Sequence, residues 1–202
     1  MIIAGIDYSI TSPAICVLDT VSGDKLFFNL CGNKTALKNY NPGIIELEAY
    51  PLWDTNIQRY HLISEWAIGV LKTYNVEMVA IEGYAMGARA GLVCNIAENG
   101  GILRFKLFQN NIPYTEYAPT QIKKFFTGKG NAKKDEVIDC VEKELVLSFA
   151  QELGVKPMAK PIDDLADSYA IVRFLQENIN GHRGNRLLYN QSSDMCFGYS
   201  VR

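Results

Sequence analysis

The sequence predicts an α/β protein in which a mixed five-stranded sheet is flanked by helices. Near the N-terminus, three short apolar stretches alternate with turn residues, a pattern typical of antiparallel strands joined by tight turns. Further along the chain, stretches with helical periodicity alternate with two more apolar runs. An antiparallel unit followed by alternating helices and strands indicates one sheet with both parallel and antiparallel neighbours, covered by helices.

The first three strands are rich in Ile, Val, Leu and Phe, and they are predicted over residues 2–6, 14–18 and 25–31. Residues 32–52 differ because they hold several Asn residues together with Pro42, Gly43 and Pro51. Residues of these types favour turns and irregular backbone. We therefore interpret this segment as a surface insertion, with a short strand near residues 44–47.

The alternating part of the chain begins at Trp53, where apolar residues start to recur at intervals of three and four as far as Leu71. The remaining two strands are predicted over residues 76–81 and 113–117. The first of them has the continuous apolar character of a strand buried on both faces. Further helical stretches cover residues 88–108, 119–126, 133–149 and 162–175. Because no repeat or linker divides the chain, we predict one domain over residues 1–180 and a polar tail over residues 181–202.

The composition excludes several classes of protein. With 48% hydrophobic and 21% charged residues, the chain can bury a core, which excludes intrinsic disorder as a whole-chain description. No apolar run approaches the roughly 20 residues of a membrane helix, and the N-terminus resembles a strand rather than a signal peptide. We therefore expect a cytoplasmic protein without membrane contact. The five cysteines are scattered without a CxxC pair, which argues against a zinc ribbon or a disulfide framework. The net charge of −2 argues mildly against nucleic-acid binding unless basic residues cluster locally.

Two acidic residues close apolar strands. Asp7 directly follows residues 2–6, and Glu82 directly follows the apolar run that ends at Ile81. Ligands of open α/β sheets bind at the carboxyl ends of the strands, so both acids are candidate site residues. The alternative for each is a turn acid or a partner of a helix N-terminus, and for either residue alone this alternative is the more frequent case.

Two further acids lie on the last predicted helix. Asp164 and Asp167 are three residues apart and therefore share one helix face, while Leu165 and Tyr169 can pack on the sheet. Acids in a first helical turn also suit the helix dipole, and this interpretation fits Asp163 best. The sequence leaves open whether Asp163 or Asp164 takes part in the site.

The four candidate acids form a set of oxygen donors without Cys or an evident His: Asp7, Glu82, Asp164 and Asp167. Hard oxygen ligands are those that Mg²⁺ and Mn²⁺ prefer. Two such ions can activate a water molecule and stabilise the leaving oxygen in phosphodiester hydrolysis. The set therefore predicts a catalytic metal site.

A basic segment offers the local positive charge that the net charge lacks. Residues 121–134 contain no acidic residue and five lysines: Lys123, Lys124, Lys129, Lys133 and Lys134. Gly128 and Gly130 allow the backbone to approach a phosphate closely, and lysines add salt-dependent attraction to nucleic acid. A solvated turn between two helices is an equally weighted alternative.

Four blocks of the sequence resemble the RuvC-like Holliday junction resolvases, which have the ribonuclease H-like fold. The blocks are Gly5-Ile6-Asp7, Ala80-Ile81-Glu82, residues 117–134 and Ala166-Asp167-Ser168-Tyr169-Ala170-Ile171. They follow one another in the family's order and at similar spacing, and they frame residues 2 to about 175. The segment 32–52 and the tail lie outside the resemblance. Ser9 stands where a glycine is common in the family.

The resemblance implies a homodimeric, metal-dependent endonuclease that acts on branched DNA, above all on a four-way junction. It implies that the four acids carry catalysis and bind two Mg²⁺ ions, for which Mn²⁺ can substitute. It also implies that Lys123 and Lys134 bind the DNA backbone, and that Tyr84, soon after the second strand-ending acid, inserts at the junction. The insertion and the pI near 5.7 indicate a divergent member of phage or viral origin.

Three alternatives stay open from the sequence. A nuclease of the same fold could act on flaps, replication forks or structured RNA. A catalytically inert DNA-binding module would be expected to lack some of the four acids. A sugar-kinase-like ATPase also opens with a strand, an aspartate and a hairpin, but the glycines of this chain do not match the phosphate and adenosine loops that this class requires.

Overall fold

A mixed sheet of six strands forms the centre of the computed structural model, which describes residues 1–83 and 90–182. The strands are β1 (Ile2–Asp7), β2 (Ala14–Asp19), β3 (Lys25–Cys31), β4 (Ile45–Ala49), β5 (Met78–Glu82) and β6 (Tyr114–Tyr117). The helices are α1 (Lys34–Asn39), α2 (Asn56–Thr73), α3 (Ala90–Gln109), α4 (Pro119–Thr127), α5 (Lys134–Leu145), α6 (Phe149–Leu153) and α7 (Ile162–His182). The order of the strands in the sheet is β4-β3-β2-β1-β5-β6.

Strand pairing confirms the predicted mixed sheet. The pairs β1–β2 and β2–β3 are antiparallel, as expected for consecutive strands joined by tight turns. The pairs β1–β5 and β5–β6 are parallel, and the helices α2 and α3 supply the crossover connections. Strand β1 therefore lies inside the sheet, with an antiparallel neighbour, β2, on one side and a parallel neighbour, β5, on the other.

The predicted number of five strands is wrong, because the segment 32–52 adds a sixth. Its strand β4 pairs in parallel with β3 at the edge of the sheet. Ile45 and Leu47 are buried while Glu46 and Glu48 point away from the core, the alternation expected of a strand with one apolar face. The segment also holds the short helix α1, whose N-terminus is capped by the Asn33 side chain. It is thus part of the sheet rather than a surface insertion.

Two hydrophobic cores cover the two faces of the sheet. On one face, Ala4 and Ile6 of β1 pack with buried residues of α2 and α3. On the other face, Ile3 packs with buried residues of α5 and α7. Successive strand residues point to opposite faces, so Gly5 and Asp7 share the face of Ile3 and of α7.

Helix α7 lies directly on β1 because Gly5 has no side chain. A Cβ atom at Gly5 would lie 2.4 Å from both the Ser168 carbonyl oxygen and the Val172 nitrogen. Real Cβ atoms do not approach backbone atoms this closely, so only glycine permits this contact. The close approach brings the first turns of α7 next to the end of β1.

The helices differ from the predicted ranges in two places. The stretch predicted as one helix over residues 133–149 is divided into α5 and α6, because Val146 adopts a left-handed conformation with φ of 53° and ends α5. Helix α7 continues to His182, beyond the predicted end at residue 175. No helix within residues 1–83 and 90–182 is long and apolar enough to cross a membrane. Tyr84 and residues 183–202 of the predicted tail lie outside the described residues.

Candidate active site

Parallel pairing places Asp7 and Glu82 side by side. Ile6 is paired with Ile81 in the parallel ladder of β1 and β5, so the residue that follows each of them stands at the same edge of the sheet. Asp7 shares the face of Gly5, and Glu82 shares the face of Ala80, which belongs to the core beneath α7. Both carboxylates therefore lie at the end of the sheet, on the side covered by α7.

Helix α7 adds the other two predicted acids. Asp164 and Asp167 are in its first two turns, next to the end of β1. All four acids line one cleft of about 310 Å³. The remaining lining residues are Ser9, Pro119, Lys123, Lys134, Val137 and Lys160. The structure thus brings the four predicted acids together with two of the five predicted lysines.

Burial and mutual repulsion disfavour ionisation of these carboxyls. Burial raises the pKa of Asp7 well above its usual value, and the neighbouring charges of Asp167 and Asp164 raise it further. Burial, with the charge of Glu82, raises the pKa of Asp167 to about 7. The pKa of Glu82 is also raised by burial, although Lys123 acts in the opposite direction. A cation bound among these acids would offset their repulsion and favour their ionised forms.

Asp163 and Asp164 have different surroundings, which the sequence did not resolve. Asp164 lines the cleft and is 2% exposed. Asp163 lies beside the cleft, where its Oδ2 atom accepts hydrogen bonds from Lys134 Nζ at 2.5 Å and Lys160 Nζ at 3.0 Å. Burial opposes ionisation of Asp163, but the two lysines outweigh burial and lower its pKa. Asp164 is therefore the better candidate ligand, and Asp163 is a partner of lysines.

The donor chemistry of the cleft fits a hard divalent cation. Its acids offer oxygen atoms only, and the buried Asp164 Oδ2 atom has no hydrogen-bond partner among the described residues. Buried acceptors of this kind are costly unless a donor or a cation satisfies them. However, no three acidic, His or Cys side chains in residues 1–83 and 90–182 are grouped so that they could hold a metal ion. Instead, Lys160 Nζ lies 2.5 Å from Asp164 Oδ1.

The other predicted lysines lie outside the cleft, Lys124 on α4 and both Lys129 and Lys133 on the turn between α4 and α5. Lys124, Lys129 and Lys133 are exposed to solvent. The turn itself is ordered, because α4 ends at Gly128 with φ of 77° and Lys129 N donates to Thr127 Oγ1 at 3.2 Å. These lysines therefore extend the positive charge of the cleft wall onto the surface.

Side chains from three parts of the chain hold the loop that follows Asp7. Ser9 Oγ accepts a hydrogen bond from Ser12 N at 3.0 Å, and Asn29 Nδ2 donates to the Ser12 carbonyl oxygen at 3.2 Å. Arg59 Nη2 donates to the Ile10 carbonyl oxygen at 2.8 Å. Ser9 thus closes the loop by its own hydroxyl where a glycine is common in the resembling family. Asn29 and Arg59 carry no local signal in the sequence, because their hydrogen-bond partners are distant along the chain.

A second cavity of about 460 Å³ adjoins the acids on the side of α3. Asp7 and Glu82 border both spaces. The walls of this second cavity are mainly apolar and include Tyr8, Ile81 and Leu103. The two spaces therefore lie on either side of the same pair of carboxylates.

Comparison with known proteins gives the same family as the four sequence blocks. A sequence model of the family described as crossover junction endodeoxyribonuclease RuvC matches residues 33–172. The chain belongs to this family. One RuvC relative from Prochlorococcus marinus (strain NATL1A) is 27% identical over 171 residues, which cover 85% of this chain and 95% of the relative. Another, from strain MIT 9313, is 30% identical with the same coverage.

Solved structures of RuvC proteins share the fold. The Thermus thermophilus RuvC structure is 25% identical, covers 91% of this chain and 97% of its own, and superposes with a TM-score of 0.58. The T. thermophilus RuvC in complex with a Holliday junction substrate gives a TM-score of 0.61 at 22% identity, with coverage of 91% and 96%. The yeast mitochondrial Holliday junction resolvase Ydc2 gives 0.55 at 17% identity, with coverage of 90% and 81%. These likenesses confirm the ribonuclease H-like sheet flanked by helices.

The RuvC match extends over most of the predicted site. Residues 33–172 include Glu82, Asp164 and Asp167, and the segment 32–52 lies almost wholly inside the match rather than outside it. Asp7 precedes the matched range, and its place in the site depends on the pairing of β1 with β5. The roles of the individual residues stay predictions.

Proposed function

We propose that this RuvC-family protein is an endonuclease that resolves four-way DNA junctions by metal-dependent phosphodiester hydrolysis. The observation that carries the proposal is the convergence of the four predicted acids with Lys123 and Lys134 in one cleft at the end of the sheet. A DNA strand presents phosphates that lysines attract, and acids that bind metal ions can supply the activated water for its cleavage.

Each group in the cleft has a proposed part in this reaction. The four acids would hold two Mg²⁺ ions, which Mn²⁺ can replace. When bound, such ions activate a water molecule and stabilise the leaving oxygen of the phosphodiester. Lys123 and Lys134 bind the phosphates of the strand that is cut, and the exposed Lys124, Lys129 and Lys133 guide the adjoining duplex. The apolar cavity beside Asp7 accepts a sugar or a base. The insertion of Tyr84 at the junction stays a prediction.

A nicking assay on a labelled four-way junction with Mg²⁺ tests the role of Asp7. Asp7→Asn is expected to abolish nicking and to leave junction binding intact, because the amide keeps the shape of the side chain and removes its charge. Asp139→Asn, at an exposed position of α5, is the matched control and should nick like the wild type. Nicking by Asp7→Asn at the wild-type rate would remove Asp7 from the site.

Competition between substrates tests the choice of DNA. The wild type is offered a labelled four-way junction together with an unlabelled flap, a fork, linear duplex or a structured RNA. We expect that only an unlabelled junction competes at equimolar concentration. If a flap or a fork competes equally well, the protein is not selective for junctions, and that DNA becomes the proposed substrate. The proposal that the protein is a nuclease would then still stand.

The proposed homodimer has a candidate interface on α3. Val93, Phe105 and Phe108 lie along one exposed side of this helix, and Phe108 is 76% exposed. Two copies joined here would bury these side chains, and a twofold dimer matches the two strands that a junction presents for cleavage. Sedimentation equilibrium is expected to give a dimer for the wild type and a monomer for Phe108→Glu. Ile57→Glu, at an exposed position of α2, should stay dimeric, and a dimeric Phe108→Glu would place the interface elsewhere.

The remaining alternatives are distinguished by simple observations. A catalytically inert module would bind junctions and never nick them with Mg²⁺ or Mn²⁺, whereas all four acids are present in the cleft. Hydrolysis of ATP without DNA would support the sugar-kinase-like alternative, which the RuvC match disfavours. The cytoplasmic location and the phage or viral origin stay predictions.

A further inference from the structure

Lys160 contacts the candidate metal ligand Asp164, and the proposed function gives this lysine no part. Its ammonium group lies 2.5 Å from Asp164 Oδ1 and 3.0 Å from Asp163 Oδ2. The Asp164 side chain is 3% exposed, and the Lys160 side chain is 49% exposed. Lys160 therefore reaches from the surface to a buried carboxylate that also lines the cleft.

The backbone at Lys160 is anchored. The Asn33 side chain donates from Nδ2 to the Lys160 carbonyl oxygen at 2.7 Å. The same side chain caps α1 through Oδ1, which accepts from Thr35 N at 3.0 Å and Ala36 N at 3.3 Å. The segment 32–52 thus fixes the position of the Lys160 backbone. The conformation of the flexible Lys160 side chain then determines which acid its ammonium group contacts.

Asp163 offers the lysine a second position. Its Oδ2 atom already accepts from Lys134 as well as from Lys160. Because Asp163 and Asp164 are neighbours on α7, the Lys160 ammonium group can lose its contact with Asp164 and still be paired with Asp163. A lysine with two adjacent acceptors can give up one of them at low cost.

We propose that Lys160 competes with a divalent cation for the Asp164 carboxylate and passes to Asp163 when the cation binds. This inference rests on the proposed function, because it assumes that the cleft binds a metal ion. An ammonium group on Asp164 neutralises a ligand and also repels a cation that approaches it. Lys160 thereby raises the metal concentration that is needed to fill the site, compared with the same acids without the lysine.

Isothermal titration calorimetry with Mn²⁺ on the full chain, without DNA, tests the proposal. Lys160→Met is expected to bind Mn²⁺ about tenfold more tightly than the wild type. Lys123→Met removes a charge from the wall of the same cleft and should raise the affinity by clearly less. Lys156→Met, at an exposed position before α7, should leave it unchanged. Lys160→Gln replaces Lys160→Met if thermal unfolding shows that the methionine variant does not fold.

The outcomes separate this inference from the proposed function. If neither the wild type nor Lys160→Met binds Mn²⁺, the proposed metal site fails. If the wild type binds Mn²⁺ and Lys160→Met binds it equally or less tightly, the inference alone fails. An equal gain in Lys123→Met would also overturn it, because the effect would then come from overall charge rather than from contact with Asp164.

A double-mutant cycle tests the part of Asp163. Asp163→Asn removes the second position of the lysine and is expected to weaken Mn²⁺ binding. The loss should be smaller in the Lys160→Met background, where no ammonium needs to be moved. Equal losses in both backgrounds would show that Asp163 acts by its charge alone and would overturn the transfer.

Discussion

Gly5→Ala tests whether the contact between α7 and β1 builds the site. The added Cβ atom would lie 2.4 Å from two backbone atoms of α7, the Ser168 oxygen and the Val172 nitrogen, whereas ordinary contacts begin at 3.4 Å. Neither atom can rotate away, because both belong to the helix backbone. The helix must therefore retreat from β1 by about 1 Å.

Two effects of this retreat can be estimated. Overpacking of a core against backbone costs about 3 kcal/mol of unfolding free energy, at the upper end of the usual range. A displacement of about 1 Å between catalytic groups can lower a rate about 100-fold. Because Asp164 and Asp167 move with α7 and Asp7 does not, Gly5→Ala is expected to lose both stability and nicking activity.

Urea denaturation and the junction-nicking assay measure the two effects. Gly69→Ala is the matched control, because a Cβ atom at this α2 position meets no atom within 4 Å. It should stabilise the protein by about 0.5–1 kcal/mol through helix propensity and leave nicking unchanged. If Gly5→Ala is as stable and as active as the wild type, the close contact does not position the acids.

Two further predictions concern single buried polar groups. The pKa of Asp167 near 7 lies above its unfolded value, so the stability that depends on the protonated carboxyl is present below about pH 4 and is lost as the pH rises to about 7. Urea denaturation in EDTA measures this effect. The free energy of unfolding of Asp167→Asn should exceed that of the wild type by up to about 4 kcal/mol at pH 8 and by little at pH 4. An equal gain at both pH values would contradict the charge explanation. Asn29→Ala should lower the free energy of unfolding by about 1–3 kcal/mol in the same measurement. The reason is that the fully buried Asn29 amide donates hydrogen bonds to Ser12 and to the Pro13 carbonyl oxygen. A loss below about 0.5 kcal/mol would show that water replaces these bonds.

Much of the fold was predictable because local patterns agree with the tertiary structure. The strands β1, β2, β3, β5 and β6 are short apolar runs bounded by turn residues, and each lies within two residues of its predicted range. The strand β4 was predicted as a short strand but was not assigned to the sheet. Its alternation of Ile45 and Leu47 with glutamates fits an edge strand, yet only the open edge of β3 determines where such a strand pairs.

The sequence by itself determined the kind of site: four acids with hard oxygen donors, two of them ending apolar strands and two on one helix face, with a lysine-rich turn nearby. It could do so because strand ends and helix spacing are local properties of the chain. Only the tertiary structure decided that Asp164 rather than Asp163 faces the cleft, and that Lys160 contacts both acids. The physical reason is that the close packing of α7 on Gly5 sets the rotation of the helix, and the anchoring of Lys160 by Asn33 joins residues far apart in the sequence.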